Sequence, residues 1–317
     1  MNSTNILITG AYGLLGGRLA KYLSGVDGLK ITLATRNKSK IKSGLELENI
    51  VVIDWDSESS MKQACENMNT IIHCAGMNAH DCQRNPEIAS NFNGYTTGRF
   101  LDAAIDKGVS RFVFFSTAHV YDSHLKGNIT ENITPKNPHP YAASNYLGEQ
   151  QVNERASKIS GINIRLSNAF GAPVSPEVNC WTLLINDLCR QAIETKRLVL
   201  KSDGSQLRDF ISITEVCRAI HHLLSLPLEA GSRTFNVGRA SSQSVLSMAK
   251  LIQKRFEKIF GFLPELQRPL SNMPNSIPGF TYDTKKLVST GFRYSGSHTE
   301  EIDQLINFCE RKFKGFV

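Results

Sequence analysis

Residues 6–17 read ILITGAYGLLGG, an apolar run followed by glycines at positions 10, 13 and 16. Ile6-Leu7-Ile8 fits a strand buried on both faces, and Leu14-Leu15, continued by Leu19 and Leu23, opens a helical pattern. A strand that feeds a helix through such a turn leaves backbone N–H groups unpaired at the positive end of the helix dipole, where a pyrophosphate can bind. One glycine permits the tight turn, one lets phosphate approach the backbone, and one lets helix and strand pack closely. The spacing alone is weak, since a structural turn can use two of the three. The strand before it and the helix after it supply the context of a dinucleotide-binding motif.

Outward from this stretch, strand and helix patterns alternate. Strands are expected at 30–35, 50–53, 70–74, 111–116 and 162–166, with helices at 59–68 and 87–107 and another within 141–161. That rhythm predicts a doubly wound parallel sheet, the α/β Rossmann architecture. Past Asn168 the rhythm breaks. Helices are expected at 181–194, 214–226, 244–259 and 299–312, short strands at 197–200, 208–213 and 234–237, and a proline-bearing loop at 264–278. The expected division is a nucleotide-binding domain over 1–170, with the chain returning to it at about 214–238. Residues 171–213 and 239–317 then form a smaller mixed α/β substrate domain.

The chain has 317 residues, enough for a substantial core, with 41% hydrophobic and 21% charged residues. The net charge of +7 suits anionic small ligands, but the basic residues are dispersed, with no basic block interleaved with aromatics to suggest nucleic acid. Seven scattered cysteines without a C-x-x-C pair argue against a disulfide framework or metal site and fit a reducing, cytoplasmic location. No apolar run reaches the roughly 18 residues of a membrane span, and no basic segment precedes the first apolar run as in a signal peptide.

The end of the second strand selects between dinucleotides. Binders of NAD usually place a carboxylate there for the ribose hydroxyls; this chain has Thr35-Arg36-Asn37-Lys38 with no acid nearby. Arg36 can pair with a 2′-phosphate in bidentate, charge-assisted geometry, which favours NADP; the alternative is a solvated basic loop. Asp54, before Trp55, follows the third strand and is placed to bond an adenine. His73-Cys74-Ala75-Gly76 ends the fourth, where small residues let a cofactor lie against the backbone. His73 itself reads as a structural histidine and Cys74 as a small buried group. Ser116 and Thr117 end the fifth strand, where both hydroxyls are expected to face the ligand crevice. Tyr141 opens a helix after Pro138-His139-Pro140 and can act as general acid or base toward a substrate oxygen. Phe170, Trp181 and Phe210 suit either ring stacking on a ligand or core packing, and Tyr121 suits packing.

These motifs resemble the extended short-chain dehydrogenases/reductases, in their nucleotide-sugar epimerase, dehydratase and reductase branch. The resemblance spans essentially the whole chain. It rests on Thr9-Gly-x-x-Gly-x-x-Gly16, His73-Cys-Ala75, Asn91, Ser116-Thr-Ala-His-Val-Tyr121 and Tyr141 through Glu149. Arg165-Leu-Ser-Asn-Ala-Phe-Gly171, Arg208-Asp-Phe-Ile211 and Phe235-Asn-Val-Gly238 complete it. It implies cofactor contacts from Gly10, Tyr12, Gly13, Leu14, Leu15, Gly16, Arg36, Asp54, Trp55, Cys74, Ala75, Gly76 and Asn91. It further implies substrate contacts from Asn168 and Arg208, the arginine on the diphosphate of a nucleotide-sugar. Thr117 would bond the sugar oxygen at the reacting carbon, and Tyr141 would give or take the proton as hydride moves to or from the nicotinamide. Helices 87–107 and 141–161 correspond to the pairing surfaces of family dimers, so a homodimer is expected.

Two departures narrow the chemistry. Where the family's Tyr-x-x-x-Lys pattern places lysine, this chain has Asn145. Asparagine can bond a ribose hydroxyl but supplies no charge to lower the tyrosine pKa, ordinarily near 10. A protonated phenol still serves reduction, so the change harms oxidation more. His119 and His139 are nearby and can supply a proton or a charge; surface or capping roles stand equally. The family's dehydratases carry Asp-Glu after the active-site threonine, where this chain has Ala118-His119, which argues against dehydration. The expected function is therefore NADP-dependent reduction of a keto-deoxysugar on a nucleoside diphosphate. The alternatives are an NAD-dependent sugar 4-epimerase and a catalytically silent NADP-binding sensor or partner subunit.

Overall fold

Alternation along the first strand, β1 (Thr4–Thr9), sets the layers of the fold. Ile6 and Ile8 join the core on one face of the sheet, and Leu7 joins the core on the other. A strand with two apolar faces must be covered on both. The computed structural model describes residues 3–37, 45, 49–229, 231–270 and 279–314. Lys38 and residues 271–278 of the expected proline-bearing loop lie outside them.

After β1 come α1 (Leu14–Leu23), β2 (Leu29–Thr35), β3 (Ile50–Val52), α2 (Glu58–Ala64) and β4 (Thr70–His73). Next are α3 (Ala79–Arg84), α4 (Pro86–Ala89), a π-helical turn at Ser90–Thr96, α5 (Thr97–Asp106), β5 (Arg111–Thr117) and a 3-10 turn at Ala118–Val120. The chain continues through β6 (Gly127–Ile129), α6 (Pro140–Glu154), β7 (Ser160–Leu166), β8 (Asn168–Phe170), α7 (Leu184–Thr195) and β9 (Arg197–Val199). Then follow β10 (Leu207–Ser212), α8 (Ile213–Ser225), β11 (Gly231–Val237), β12 (Ser242–Ser244) and α9 (Val245–Phe260). The last described elements are β13 (Glu265–Gln267), β14 (Phe280–Tyr282), α10 (Lys285–Ser289) and α11 (His298–Phe313).

Seven of these strands form a parallel sheet in the order β11-β7-β5-β4-β1-β2-β3. The order reverses between β1 and β4, the switch point outside whose carboxyl ends doubly wound sheets bind ligands. Leu19 and Leu23 of α1 and Val216, Ile220 and Leu223 of α8 cover one face. Met61 of α2, Phe100 and Leu101 of α5 and Val152 of α6 cover the other. The expected doubly wound α/β architecture is what forms.

A separate core gathers α7, α9 and α11 around Phe170, Phe210, Met248, Phe256, Leu305 and Ile306. Phe170 and Phe210 are fully buried in it, and Trp181 packs on Phe308 and Phe313, so all three aromatics serve packing. Three small sheets lie outside the large one, in the orders β12-β10-β8, β13-β9 and β14-β6. Arg18 of α1 joins the two cores. Its guanidinium donates to Glu301 of α11 at 2.8 Å, to the Ala172 carbonyl at 2.8 Å and to Thr214 at 2.7 Å. No described helix is long and apolar enough to cross a membrane.

The expected helix over 87–107 is broken into three pieces. The π turn at Ser90–Thr96 sits where Gly94 meets α6; a Cβ on Gly94 would stand 2.4 Å from the Leu147 Cδ2 atom. Such a turn adds a residue to the helical path and changes which side chains face inward.

Candidate active site

The glycine turn forms as its sequence requires. Gly10 has φ +62°, in the left-handed region. A Cβ on Gly16 would lie 2.3 Å from the Gly10 carbonyl oxygen, so only glycine lets α1 approach β1 this closely. Gly13 caps α1 without a side-chain bond, which leaves the first-turn N–H groups of Leu14, Leu15 and Gly16 for an external acceptor. The turn borders a cleft of about 530 Å³ at the β1/β4 switch point. Gly10, Tyr12 and Gly13 line it from one side, and Cys74, Ala75 and Gly76 from another. Arg36 and Trp55 contribute to its walls. The Tyr12 hydroxyl is buried with no hydrogen-bond partner among the described residues. The shape, the N–H groups and this hydroxyl fit a dinucleotide.

Other expected contacts differ in detail. Arg36 is exposed at the cleft, its guanidinium 6.0 Å from the Phe92 ring centre. Asp54 is exposed and does not line the cleft: its carboxylate accepts the Asp56 N–H at 3.0 Å, closing the turn before α2. Leu14 lines a neighbouring cavity with Val174, and Leu15 packs on the core beneath α1. Asn91 is corrected. It is exposed, and Asn93 is buried instead. Sequence reading missed Asn93 and Phe92, which lines the cleft. The signal was available: Asn93 stands ten and eleven residues before Ala103-Ala104, whose place in α5 fixes the inward face.

Asn93 links the two halves of the site. Its Oδ1 accepts the Met77 N–H at 2.8 Å, just past the end of β4, and its Nδ2 donates to Ser144 of α6 at 3.0 Å. His73 extends the link. The Thr97 hydroxyl donates to the Asn93 carbonyl at 2.9 Å, so at 3.4 Å it must accept from His73 Nε2–H. His73 Nδ1 then accepts from the Thr9 hydroxyl at 2.8 Å, and Thr9 in turn accepts the Ala75 N–H at 3.2 Å. This bonding requires a neutral imidazole, and burial pulls its pKa down to about 3. The structural role expected for His73 is the one it has.

At the end of β5, the two hydroxyls part ways. Ser116 is corrected: it is buried and donates to Glu149 at 2.5 Å, because successive residues of a strand point to opposite faces. Glu149 is already held by Arg165 at 2.7 Å, a buried pair beneath the site. Thr117 accepts the His119 N–H at 3.2 Å and stands beside Tyr141. Tyr141 is half-buried, and its pKa is raised by burial and by the nearby Cys82 thiol, with hydrogen bonding from Thr117 opposing. Asn145 is buried, and its Nδ2 donates to the Tyr141 carbonyl at 2.7 Å, one helical turn back.

The mouth of this end carries histidines. The His139 Nδ1 atom accepts the Tyr141 N–H at 3.2 Å and caps α6. The His119 ring lies 6.5 Å from the Tyr141 ring, edge to face. Asn137 ties the two histidines together, donating to the His119 carbonyl at 2.8 Å and accepting the His139 N–H at 3.0 Å. Arg208 is exposed and its charge acts on His119. The Asn168 amide is engaged by the Asp209 carbonyl at 2.9 Å. Asp209 is buried and receives the N–H groups of Arg239 and Ser241, which makes it a brace behind Arg208. Tyr121 is buried with its hydroxyl on Asn236 at 2.6 Å, a packing role.

A cleft at the switch point of a doubly wound sheet, with a threonine and a tyrosine at the next strand end, defines a nucleotide-binding enzyme of the short-chain dehydrogenase/reductase type. The profile of the NAD dependent epimerase/dehydratase family matches residues 6–238, and the chain belongs to that family. It is similar to the uncharacterized UDP-glucose epimerase YtcB of Bacillus subtilis, 26% identical over 275 residues, covering 78% of this chain and 81% of that protein. It is also similar to the dTDP-4-dehydro-6-deoxy-D-allose reductase of Streptomyces bikiniensis, 23% identical over 265 residues, covering 78% and 79%. Its fold matches that of MoeE5 in complex with UDP-glucose and NAD, with a TM-score of 0.79 at 22% identity over 97% of this chain and 99% of that one.

Proposed function

We propose that this protein is an NADP-dependent nucleotide-sugar oxidoreductase that reduces a keto-deoxysugar carbonyl. The bound dinucleotide supplies the hydride. Gly10, Tyr12, Gly13, Leu14, Leu15 and Gly16 hold its pyrophosphate side, while Trp55, Cys74, Ala75 and Gly76 form the walls. Arg36 reads the 2′-phosphate; among the described residues lining the cleft none is acidic, which supports NADP over NAD. Thr117 bonds the substrate carbonyl, and the Tyr141 phenol protonates the developing alkoxide. Asn168, at the end of the nucleotide-binding domain, and Arg208, of the substrate domain formed by residues 171–213 and 239–317, bind the nucleotide-sugar. The protein works as a homodimer through the faces of α5 and α6.

The observation that carries the direction of reaction is the Asn145 bond to the Tyr141 carbonyl. It leaves the phenol without the cation that would stabilise a phenolate, while burial raises its pKa. A phenol that stays protonated is a donor, which suits reduction. The test is nicotinamide oxidation on mixing the protein with keto-sugar nucleotides and either NADPH or NADH. Faster turnover with NADPH supports the proposal.

The second reading is a sugar 4-epimerase with retained NAD, favoured by the name of the Bacillus subtilis relative. NAD released on denaturing the purified protein, with interconversion of two nucleotide-sugars, would establish it. Cofactor binding without turnover on either panel would instead mark a silent binder.

A further inference from the structure

We propose that His119 is the proton-transfer partner of Tyr141. The proposal rests on the reading of Tyr141 as the proton donor. It follows from what the polar neighbours of the tyrosine other than Thr117, which bonds the phenol itself, are already doing. The Asn145 amide and the Ser144 hydroxyl both donate to the Tyr141 carbonyl, at 2.7 and 3.2 Å. His139 spends its Nδ1 lone pair on the Tyr141 N–H. Cys82 donates to the Met77 carbonyl at 3.5 Å and its thiol pKa is raised by burial.

His119 differs. Its backbone is fixed at both ends, by Thr117 and by Asn137, while no hydrogen bond to either ring nitrogen is seen among the described residues. His119 is an exposed residue at the mouth, and its ring stands edge to face with that of the tyrosine, the ring centres 6.5 Å apart; in this proposal a bridging water carries the proton between ring and hydroxyl.

The proton balance is simple. In reduction, Tyr141 gives its proton to the substrate alkoxide; the protonated His119 ring restores that proton and is recharged from solvent. In oxidation the steps reverse, and neutral His119 takes the phenol proton. The imidazolium then stands beside the phenolate it has created. The groups facing His119 are Arg208 of β10, with His139 and Tyr141 at the start of α6. Loss of hydration, then the charges of Arg208 and His139, lower its pKa below the ordinary 6.5.

The test uses His119→Gln and His119→Ala, with Tyr141→Phe as control. In wild type, reductive kcat should fall as pH rises through a limb centred below 6.5. His119→Gln should lose that limb and at least about tenfold in kcat, with KM within about twofold. Added imidazole should restore His119→Ala. Separately, imidazole NMR on the ligand-free protein should show the His119 pKa shifting when Tyr141 becomes Phe. Retention of the limb by His119→Gln, or no rescue and an unmoved His119 pKa, would overturn the proposal. If wild type turns over no keto-sugar, the reductase reading fails, and the NMR coupling still decides for or against His119.

Discussion

The Asn145 side chain donates to the carbonyl of Tyr141 at 2.7 Å, so the residue in the lysine position is bonded inward along its own helix. Asn145→Lys breaks that bond and supplies a cation one turn from the phenol. Oxidative kcat at neutral pH should rise about tenfold or more, with reductive kcat changing less, because a cation stabilises phenolate and each unit of pKa is worth about 1.4 kcal/mol. Forward and reverse rates across a pH series check this. Equal changes in both directions would show that the tyrosine pKa limits neither.

Gly16→Ala should weaken dinucleotide binding at least about tenfold and cost about 1–3 kcal/mol of stability. The added methyl would meet the rigid Gly10 carbonyl at 2.3 Å. Gly25→Ala, whose nearest neighbour is 3.6 Å away, is the control and should stay within about 0.5 kcal/mol. Cofactor titration and urea unfolding read the two effects separately.

His73 makes the fold acid-sensitive. It is neutral when folded, with a pKa of about 3, and takes a proton near pH 6.5 when unfolded. The unfolded chain therefore binds more protons below pH 6.5, and stability present above that pH is lost as pH falls toward 3. The loss should be on the order of 3 kcal/mol by pH 4. His73→Gln should flatten this slope in urea midpoints measured from pH 8 to pH 4, whatever its effect at pH 8. An unchanged slope would assign the acid sensitivity to other groups.

Glu149→Ala should cost about 3–5 kcal/mol, since it strands a buried Arg165. Asp102→Ala, which breaks the exposed pair with Arg155, should cost less than about 1 kcal/mol. Comparable losses in denaturant unfolding would contradict the burial argument.

Much of this architecture is legible in the chain itself. Apolar runs such as Ile6–Ile8 and the glycines behind them carry local signals that tertiary contacts reinforce. The π turn was not legible, because residues 87–107 keep an acceptable helical spacing on either side of it. Ser116 departs from expectation for a different reason: it neighbours Thr117 in sequence, but period-two alternation turns the two hydroxyls to opposite faces. The pairings β6 with β14 and β9 with β13 join three-residue segments far apart in the chain, and such segments have too few residues to show a pattern. The bonds of Asn145 and His139 to Tyr141 leave no sequence signal, since a side chain that can face a ligand or its own helix looks the same in sequence.

The Arg18–Glu301 contact has a consequence for how the protein is made. It joins positions 283 residues apart, and its arginine sits on the helix that follows the glycine turn. During synthesis β1 and α1 emerge well before α11, so their brace arrives only after the intervening residues have left the ribosome. Until then the nascent cradle lacks its partner from α11. A ribosome-bound chain stalled before residue 298 should expose Arg18 and hold dinucleotide more weakly than the released protein. Competence to bind is thus gained when α11 joins α1, long after the motif that defines it has been made.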